Sequence, residues 1–340
     1  MKRVRYWVEW VLVSFFGRLV QTLPFAAAQK IGDIAGSLVF WGDVKGRKVA
    51  MANLEVAFGS ALSLNQRRRV AQRSLQVFGR NFLELFWTGR LTNSNVDQFI
   101  SFEDPQRLRE LVESDVPFIA ITPHFGSVEL AGTLIGLKGR PLTIISQPFK
   151  NQRLTPIFRD LREATGHKII VPDNAVVHLL RALRSGKAIF LFTDLTLKLR
   201  DSAVIIDAFG LKMRVTQIHA FLHQRTGFPI VPWVTLPRGD GSYVVRILPW
   251  LRFPSDTSYQ EITQICWNQF EPIIRENPHC WLWVYKHWRY RPSVPGPRYP
   301  FYANRSTQFD LEVESQQNPE KAKILSEQIR EHVRWQRQHE

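Results

Sequence analysis

Residues 119–132 read Ile-Ala-Ile-Thr-Pro-His-Phe-Gly-Ser-Val-Glu-Leu-Ala-Gly, IAITPHFGSVELAG. The period changes inside this stretch. IAIT is an unbroken apolar run of strand length, Pro123 cannot donate to a ladder and closes it, and a helix opens after Phe125-Gly126-Ser127. Similar short apolar runs follow at 142–146, 168–171, 188–192 and 229–234, and helix-like segments separate them at 130–137, 154–165, 175–185 and 216–226. Strands that alternate with helices need crossover connections, so the sequence predicts an α/β fold with a central, mostly parallel sheet flanked by helices. Asp240-Gly241 marks a hairpin into a strand at 243–248, a helix is expected near 259–276, and an aromatic strand at 280–285.

The region before residue 100 is different. Between 26 and 100 apolar residues such as Val70, Val77, Phe78, Phe82 and Phe86 recur at spacings of three and four among arginines, which predicts helices. Asn65 is the expected cap of the helix that Arg67, Arg68 and Arg69 begin. At the amino terminus Lys2, Arg3 and Arg5 precede an apolar stretch interrupted by Glu9 and Arg18, too short for an uninterrupted span. An uncleaved helix lying on or anchored in a membrane is the favoured reading. A signal peptide ending near Ala26-Ala27-Ala28 and a buried core helix are the alternatives. The expected organisation is a membrane-associating helix over 1–25, a basic helical region over 26–100, an α/β core over 101–302 and a polar tail over 303–340.

Composition narrows the partners. The chain has 340 residues, 44% apolar and 22% charged, which excludes a disordered scaffold, a collagen-like repeat and a polytopic membrane protein. Cys266 and Cys280 cannot build a disulfide framework. The net charge of +15 accumulates in the body of the chain, chiefly at 45–90 and 281–298, while the tail is nearly balanced. A basic, aromatic-rich surface suits an anionic membrane, an acidic carrier protein or nucleic acid; a solvated basic face is the bland alternative. Trp281, Trp283, Tyr285, Trp288 and Tyr290 favour core packing with interfacial contact over base stacking.

His124 and Glu129 carry the chemistry the sequence offers. Five residues apart on one helix they would diverge by about 140°. They converge only with His124 in the strand-to-helix turn and Glu129 in the first helical turn, where a carboxylate can orient one imidazole nitrogen and leave the other as a base. A capping histidine beside a solvent-facing glutamate fits the spacing equally well. His219 and His223 have an i, i+4 spacing that can ligate zinc, but no third ligand stands nearby, so no metal is expected. The sequence contains no P-loop, no GxGxxG and no evident glycosidase carboxylate pair.

The motif H-x-x-x-x-E within PHFGSVELAG resembles that of the bacterial lipid A biosynthesis (late, secondary) acyltransferase family. The stretches RKVAMANLEVAFGSALSLNQRRRVAQRSLQVFGRNFLELFW, LRSGKAIFLFTDLTLKLRDSAVIIDAFG, HQRTGFPIVPWVTLPRGDGSYVVRILP and NPHCWLWVYKHWRYRP are similar to that family's other blocks, in the same order, over roughly residues 1–295. The resemblance implies an O-acyltransferase moving a fatty acyl chain from an acyl carrier protein or CoA thioester to a hydroxyl of a lipid A precursor. It further implies the cytoplasmic face of the bacterial inner membrane, no cofactor beyond the acyl donor and no nucleic acid partner. His124 would be the general base paired with Glu129. Arg162 matches a family arginine that supplies positive charge for an oxyanion or an acceptor phosphate, and Asp194 matches the family's acidic residue after the fourth apolar run. The alternatives are the same chemistry on another glycolipid or phospholipid, such as a phosphatidylinositol mannoside, or a non-catalytic binding protein. This chain departs from the family pattern at Ser127-Val128, where Asn-Trp is usual, at Leu195, where Gln is usual, and across 196–200, which lacks a glycine.

Overall fold

The computed structural model describes residues 2–293, 296 and 298–317. Four helices lead: α1 (Lys2–Thr22), α2 (Phe25–Gly42), α3 (Val44–Phe58) and α4 (Leu64–Trp87). Each boundary has a local cause. Pro24, without an N–H to lose, stands immediately before α2. Asp43 accepts the Gly46 N–H to start α3. Ser63 and Gln66 form a reciprocal capping box on α4. That corrects the expected cap: Asn65 lies inside the first turn, and Ser63 is the residue whose hydroxyl reaches the free N–H three positions on.

Helices α2 and α4 meet at backbone distance because glycines face each other. A Cβ on Gly79 would collide with the carbonyl oxygen of Gly32, and one on Gly36 with that of Leu75. Gly79→Ala therefore forces the helices apart, and overpacking of this kind costs about 1–3 kcal/mol. We expect urea denaturation of Gly79→Ala to show a lowered midpoint; an unchanged midpoint would mean that the helices separate freely.

The remaining elements are β1 (Ile100–Phe102), α5 (Pro105–Glu113), β2 (Ile119–Thr122), α6 (Val128–Leu137), β3 (Leu142–Ile145), α7 (Leu154–Glu163), β4 (Lys168–Ile170), α8 (Ala175–Arg184), β5 (Ala188–Phe192), β6 (Ala203–Ala208), β7 (Leu211–Thr216), α9 (Ile218–Thr226), β8 (Ile230–Pro237), β9 (Tyr243–Ile247), α10 (Tyr259–Glu276), β10 (Tyr290–Arg291), β11 (Asn304–Arg305) and α11 (Thr307–Gln317). Seven strands form one sheet in the order β1-β9-β8-β2-β5-β3-β4, parallel throughout except for the β8–β9 hairpin. The expected mostly parallel sheet flanked by helices is thus present. Strand β2 is buried on both faces: Ile119 and Ile121 pack with α8, α9 and α10, whereas Ala120 packs on the opposite side with α4 and α6. That two-sided burial is why IAIT is uniformly apolar rather than alternating.

Two readings of the sequence change. Residues 280–285 do not form a strand; the chain turns there, and only Trp281 bridges, to Phe125. Its aromatic side chains are instead packed inward, with Trp281 and Trp283 fully buried. The antiparallel pair β6–β7 was not expected. Its two-residue turn, Phe209-Gly210, has positive φ at both positions, as the twist of a tight hairpin requires. At the carboxyl end α11 packs through buried Phe309, and Glu312 pairs with buried Arg214 at 2.7 Å; residues 318–340 of the expected polar tail lie outside the described residues. No helix among the described residues is long and apolar enough to cross a membrane.

Candidate active site

Strands β2 and β5 are neighbours, with Thr122 opposite Phe192, and the ladder runs one step further through Thr193 N–H to Thr122 O. His124 and Asp194 each stand two residues past the end of their strand. The register therefore brings together two side chains that are seventy residues apart in sequence. They lie at the carboxyl ends of central parallel strands, where open α/β sheets bind ligands.

Asp194 is 0% exposed. Its Oδ1 lies 2.8 Å from His124 Nδ1, and its Oδ2 accepts the His124 backbone N–H and the Trp281 indole N–H, both at 2.9 Å. Burial alone would raise the carboxyl pKa, but the His124 imidazole, His287 and the His124 backbone N–H outweigh it and hold it at about 2. An ionised carboxylate only accepts, so Nδ1 carries a proton, and in the neutral imidazole the lone pair is then on Nε2. Phe192 stacks flat on the imidazole, with centroids 3.8 Å apart. The ring is thus held in position and tautomer, while Nε2 has no hydrogen-bond partner among the described residues and the side chain is 25% exposed.

Glu129 is in the first turn of α6, as the sequence predicts, yet it is not the residue that holds the imidazole. Its carboxylate pairs with Arg162 of α7, with Nη2–Oε1 at 2.5 Å and Nε–Oε2 at 3.0 Å. Arg162 also donates to Ser146 Oγ at 3.3 Å. Burial alone would lower the pKa of the guanidinium, but Glu129 more than offsets this and raises it. The expected His124–Glu129 hydrogen bond is therefore replaced by two pairs, His124–Asp194 and Glu129–Arg162. The physical reason is reach: Asp194 arrives in register on the adjacent strand, whereas Glu129 leaves the turn along α6 towards α7. His124, Glu129 and Arg162 nevertheless line one cavity of about 240 Å³, whose other walls are mainly apolar, including Leu85, Leu142, Phe190 and Trp233, with Asn81, Thr133, Ser146 and His167 as further polar residues.

A second set of residues, missed from the sequence, holds the turn. Ser127 is the N-cap of α6 but does not cap it: its hydroxyl donates to Glu84 Oε2 at 2.6 Å. Asn81, from α4, takes over the capping role and accepts the Glu129 N–H at 3.1 Å. Glu84 is 0% exposed and also accepts from Tyr243 at 2.7 Å and Gln29 at 3.1 Å. Burial pushes its pKa up, opposed by those three donors. Gly126 needs its φ of +65°, and a Cβ there would strike the Thr235 carbonyl oxygen. The only sequence signal for this support was the placing of Asn81 and Glu84 three apart on a helix otherwise rich in arginine.

The loop after Asp194, where the chain departs from the family pattern, is also tied down. Buried Arg214 donates to the carbonyl oxygens of Leu197, Lys198, Leu199 and Asp201, and Thr196 donates to His287 O. Cys266 and Cys280 are buried, which pushes both thiols up, Cys280 to about 12; neither is a thiolate nucleophile. The His223 ring bonds Phe228 O through Nδ1 and accepts Phe253 N–H at Nε2, so neither nitrogen is free for a metal.

Residues 1–290 match the family model of the bacterial lipid A biosynthesis acyltransferases. The chain belongs to that family. A curated relative, the lipid A biosynthesis acyltransferase of Haemophilus influenzae, is 20% identical over 286 residues, covering 82% of this chain and 87% of the relative. Among solved structures, the 1-acyl-sn-glycerophosphate acyltransferase PlsC of Thermotoga maritima aligns over 74% of this chain and 99% of its own, at 14% identity and a TM-score of 0.36. Family membership makes the chain an acyltransferase, and α11 of this acyltransferase lies beyond the matched residues.

Proposed function

We propose that this acyltransferase moves a fatty acyl chain from a thioester donor to a hydroxyl of a lipid A precursor, with His124 as general base held by Asp194. The observation that carries the reading is the His124–Asp194 pair, which in the neutral imidazole puts the lone pair on Nε2, beside a mainly apolar cavity. Nε2 takes the acceptor hydroxyl proton as the oxygen attacks the thioester carbonyl carbon. The tetrahedral intermediate collapses, the C–S bond breaks, and the thiolate recovers the proton from the imidazolium, leaving an ester and a free thiol. Asp194 stabilises the imidazolium in between. Arg162, kept charged by Glu129, supplies positive potential at the polar end of the cavity for the oxyanion or for an acceptor phosphate. Glu129 acts through Arg162 rather than on the imidazole. These side chains perform the transfer without a metal or cofactor, and without an acyl-enzyme intermediate on cysteine.

The donor is carried by acyl carrier protein or CoA, and the net charge of +15 favours the acidic carrier. The same charge suits the anionic face of a membrane. Trp7, Leu12 and Phe15 on α1 and Leu38 and Trp41 on α2 are exposed beside Lys2, Arg3, Arg5, Arg18 and Lys30. These exposed apolar and basic residues support an interfacial position, with the apolar side chains below the headgroups, and the cytoplasmic side of the inner membrane is the location we propose.

The test is the lipid mass spectrum of the native host with and without this gene. Lipid A lacking one acyl chain, restored by the wild-type gene, is the expected result. Loss of a chain from a different glycolipid or phospholipid would keep the chemistry and change the acceptor, and an unchanged spectrum would refute the reading.

A further inference from the structure

The cavity beside His124 has a direction. Leu142 and Ile144 line it from alternate positions of β3 and so share one face of the sheet, and Ile145 and Ser146 line it where the strand ends. Ser146 is at the carboxyl end with Arg162; Leu142 is four residues deeper, roughly 13 Å at the strand rise. Phe192 and Phe190 mark the same descent along β5. The charged groups are at the mouth, and the walls further in are mainly apolar, with His167 and Thr133 among them.

Helix α6 forms the opposite wall and shows where the space ends. Glu129 is at the mouth. Gly132, one turn deeper, also lines the cavity, and a Cβ there would meet only His167 Nε2, at 3.8 Å. Gly136, the next position on that face, is packed: a Cβ there would press on Thr165, 2.7 Å from its carbonyl oxygen. His167 closes the gap between the two walls, since its Nδ1 accepts the Leu142 N–H and its Nε2 donates to Gly132 O, both at 2.8 Å. The open space thus stops between Gly132 and Gly136.

We propose that this cavity receives the acyl chain of the donor thioester, with its carbonyl at His124 and its methyl end near Gly132, and that the missing side chain of Gly132 sets the length of chain transferred. The inference rests on the acyl-transfer reading above. A side chain at Gly132 enters open space without backbone strain, and it removes depth available to the chain. Because each methylene that a pocket accepts or excludes changes selectivity by about 10–200-fold, even a small side chain has a measurable effect.

The experiment uses the native host lacking the gene, complemented with wild type, Gly132→Ala, Gly132→Leu or His124→Ala, and reads the lipid mass spectrum. Gly132→Leu is expected to install a shorter chain than wild type, and Gly132→Ala to shift the ratio of shorter to longer chains at least 10-fold in the same direction. If Gly132→Leu transfers nothing, Gly132→Ala decides: a shifted ratio supports the proposal, and a wild-type ratio overturns it. Wild-type chain length from Gly132→Leu also overturns it. If His124→Ala is inactive while both Gly132 variants keep the wild-type length, only this inference falls. Full transfer by His124→Ala, or no lipid responding to the gene, removes the underlying reading as well.

Discussion

Asp194→Asn lowers acyl transfer by up to about 10⁴-fold while leaving the fold in place, the scale known for the equivalent change in a serine protease triad. The expectation follows from hydrogen-bond bookkeeping. The Asp194 Oδ2 position accepts two N–H groups, from His124 and Trp281. An asparagine must keep its carbonyl oxygen there, which turns its NH₂ towards His124 Nδ1. That nitrogen must then accept, the imidazole proton moves to Nε2, and the lone pair facing the cavity is lost. The side chain keeps its volume and two of its partners, so the loss is one of tautomer rather than of packing. Purified wild-type and variant protein, compared for transfer and for melting temperature, separate the two. A variant with more than a tenth of wild-type activity would show that Asp194 does not fix the tautomer. A pH signature accompanies it. Because the Asp194 carboxyl is held at about 2, against 3.8 when unperturbed, its contribution is present above pH 3.8 and lost as the pH falls towards 2. It amounts to on the order of 2 kcal/mol. In that window stability should fall less steeply for Asp194→Asn than for wild type.

His124→Ala removes the base itself, and a reduction of about 10²–10⁴-fold in transfer is expected, with substrate binding retained. The side chain is partly exposed, its ring makes one hydrogen bond and one stacking contact, and Asp194 keeps two N–H donors without it. The variant should therefore fold and still associate with vesicles containing anionic lipid. Added imidazole should restore part of the rate if the missing group acts as a base. Activity close to wild type would mean that another group takes the hydroxyl proton, and Glu129 would be the first to examine because it lines the same cavity.

Much of this arrangement was legible before the structure. The strand–turn–helix at 119–132, the order of strands and helices from there to residue 192 and the Asp240-Gly241 hairpin are local patterns, each set by residues within a few positions of one another. The mistakes were also local. Residues 280–285 have strand composition, but their tryptophans serve a buried cluster around Phe209 rather than a ladder. The β6–β7 turn uses Phe209 at positive φ, where no sequence rule looks for a bulky residue. Asn65 stands nearer the arginines, but the α4 cap is Ser63, whose reciprocal bonds with Gln66 satisfy the first turn.

By itself the sequence determined the fold class, the family, and the candidates His124, Glu129, Arg162 and Asp194, all of which depend on local composition or on motif order. Only the tertiary structure decided which carboxylate serves the histidine. That choice depends on β5 lying beside β2, with Thr122 opposite Phe192, and a parallel pair takes its register from crossovers and packing rather than from either strand's own residues. For the same reason Glu129 passes to Arg162, Asn81 and Glu84 come to hold the turn, and the depth of the cavity at Gly132 is visible only once helix and sheet are packed together.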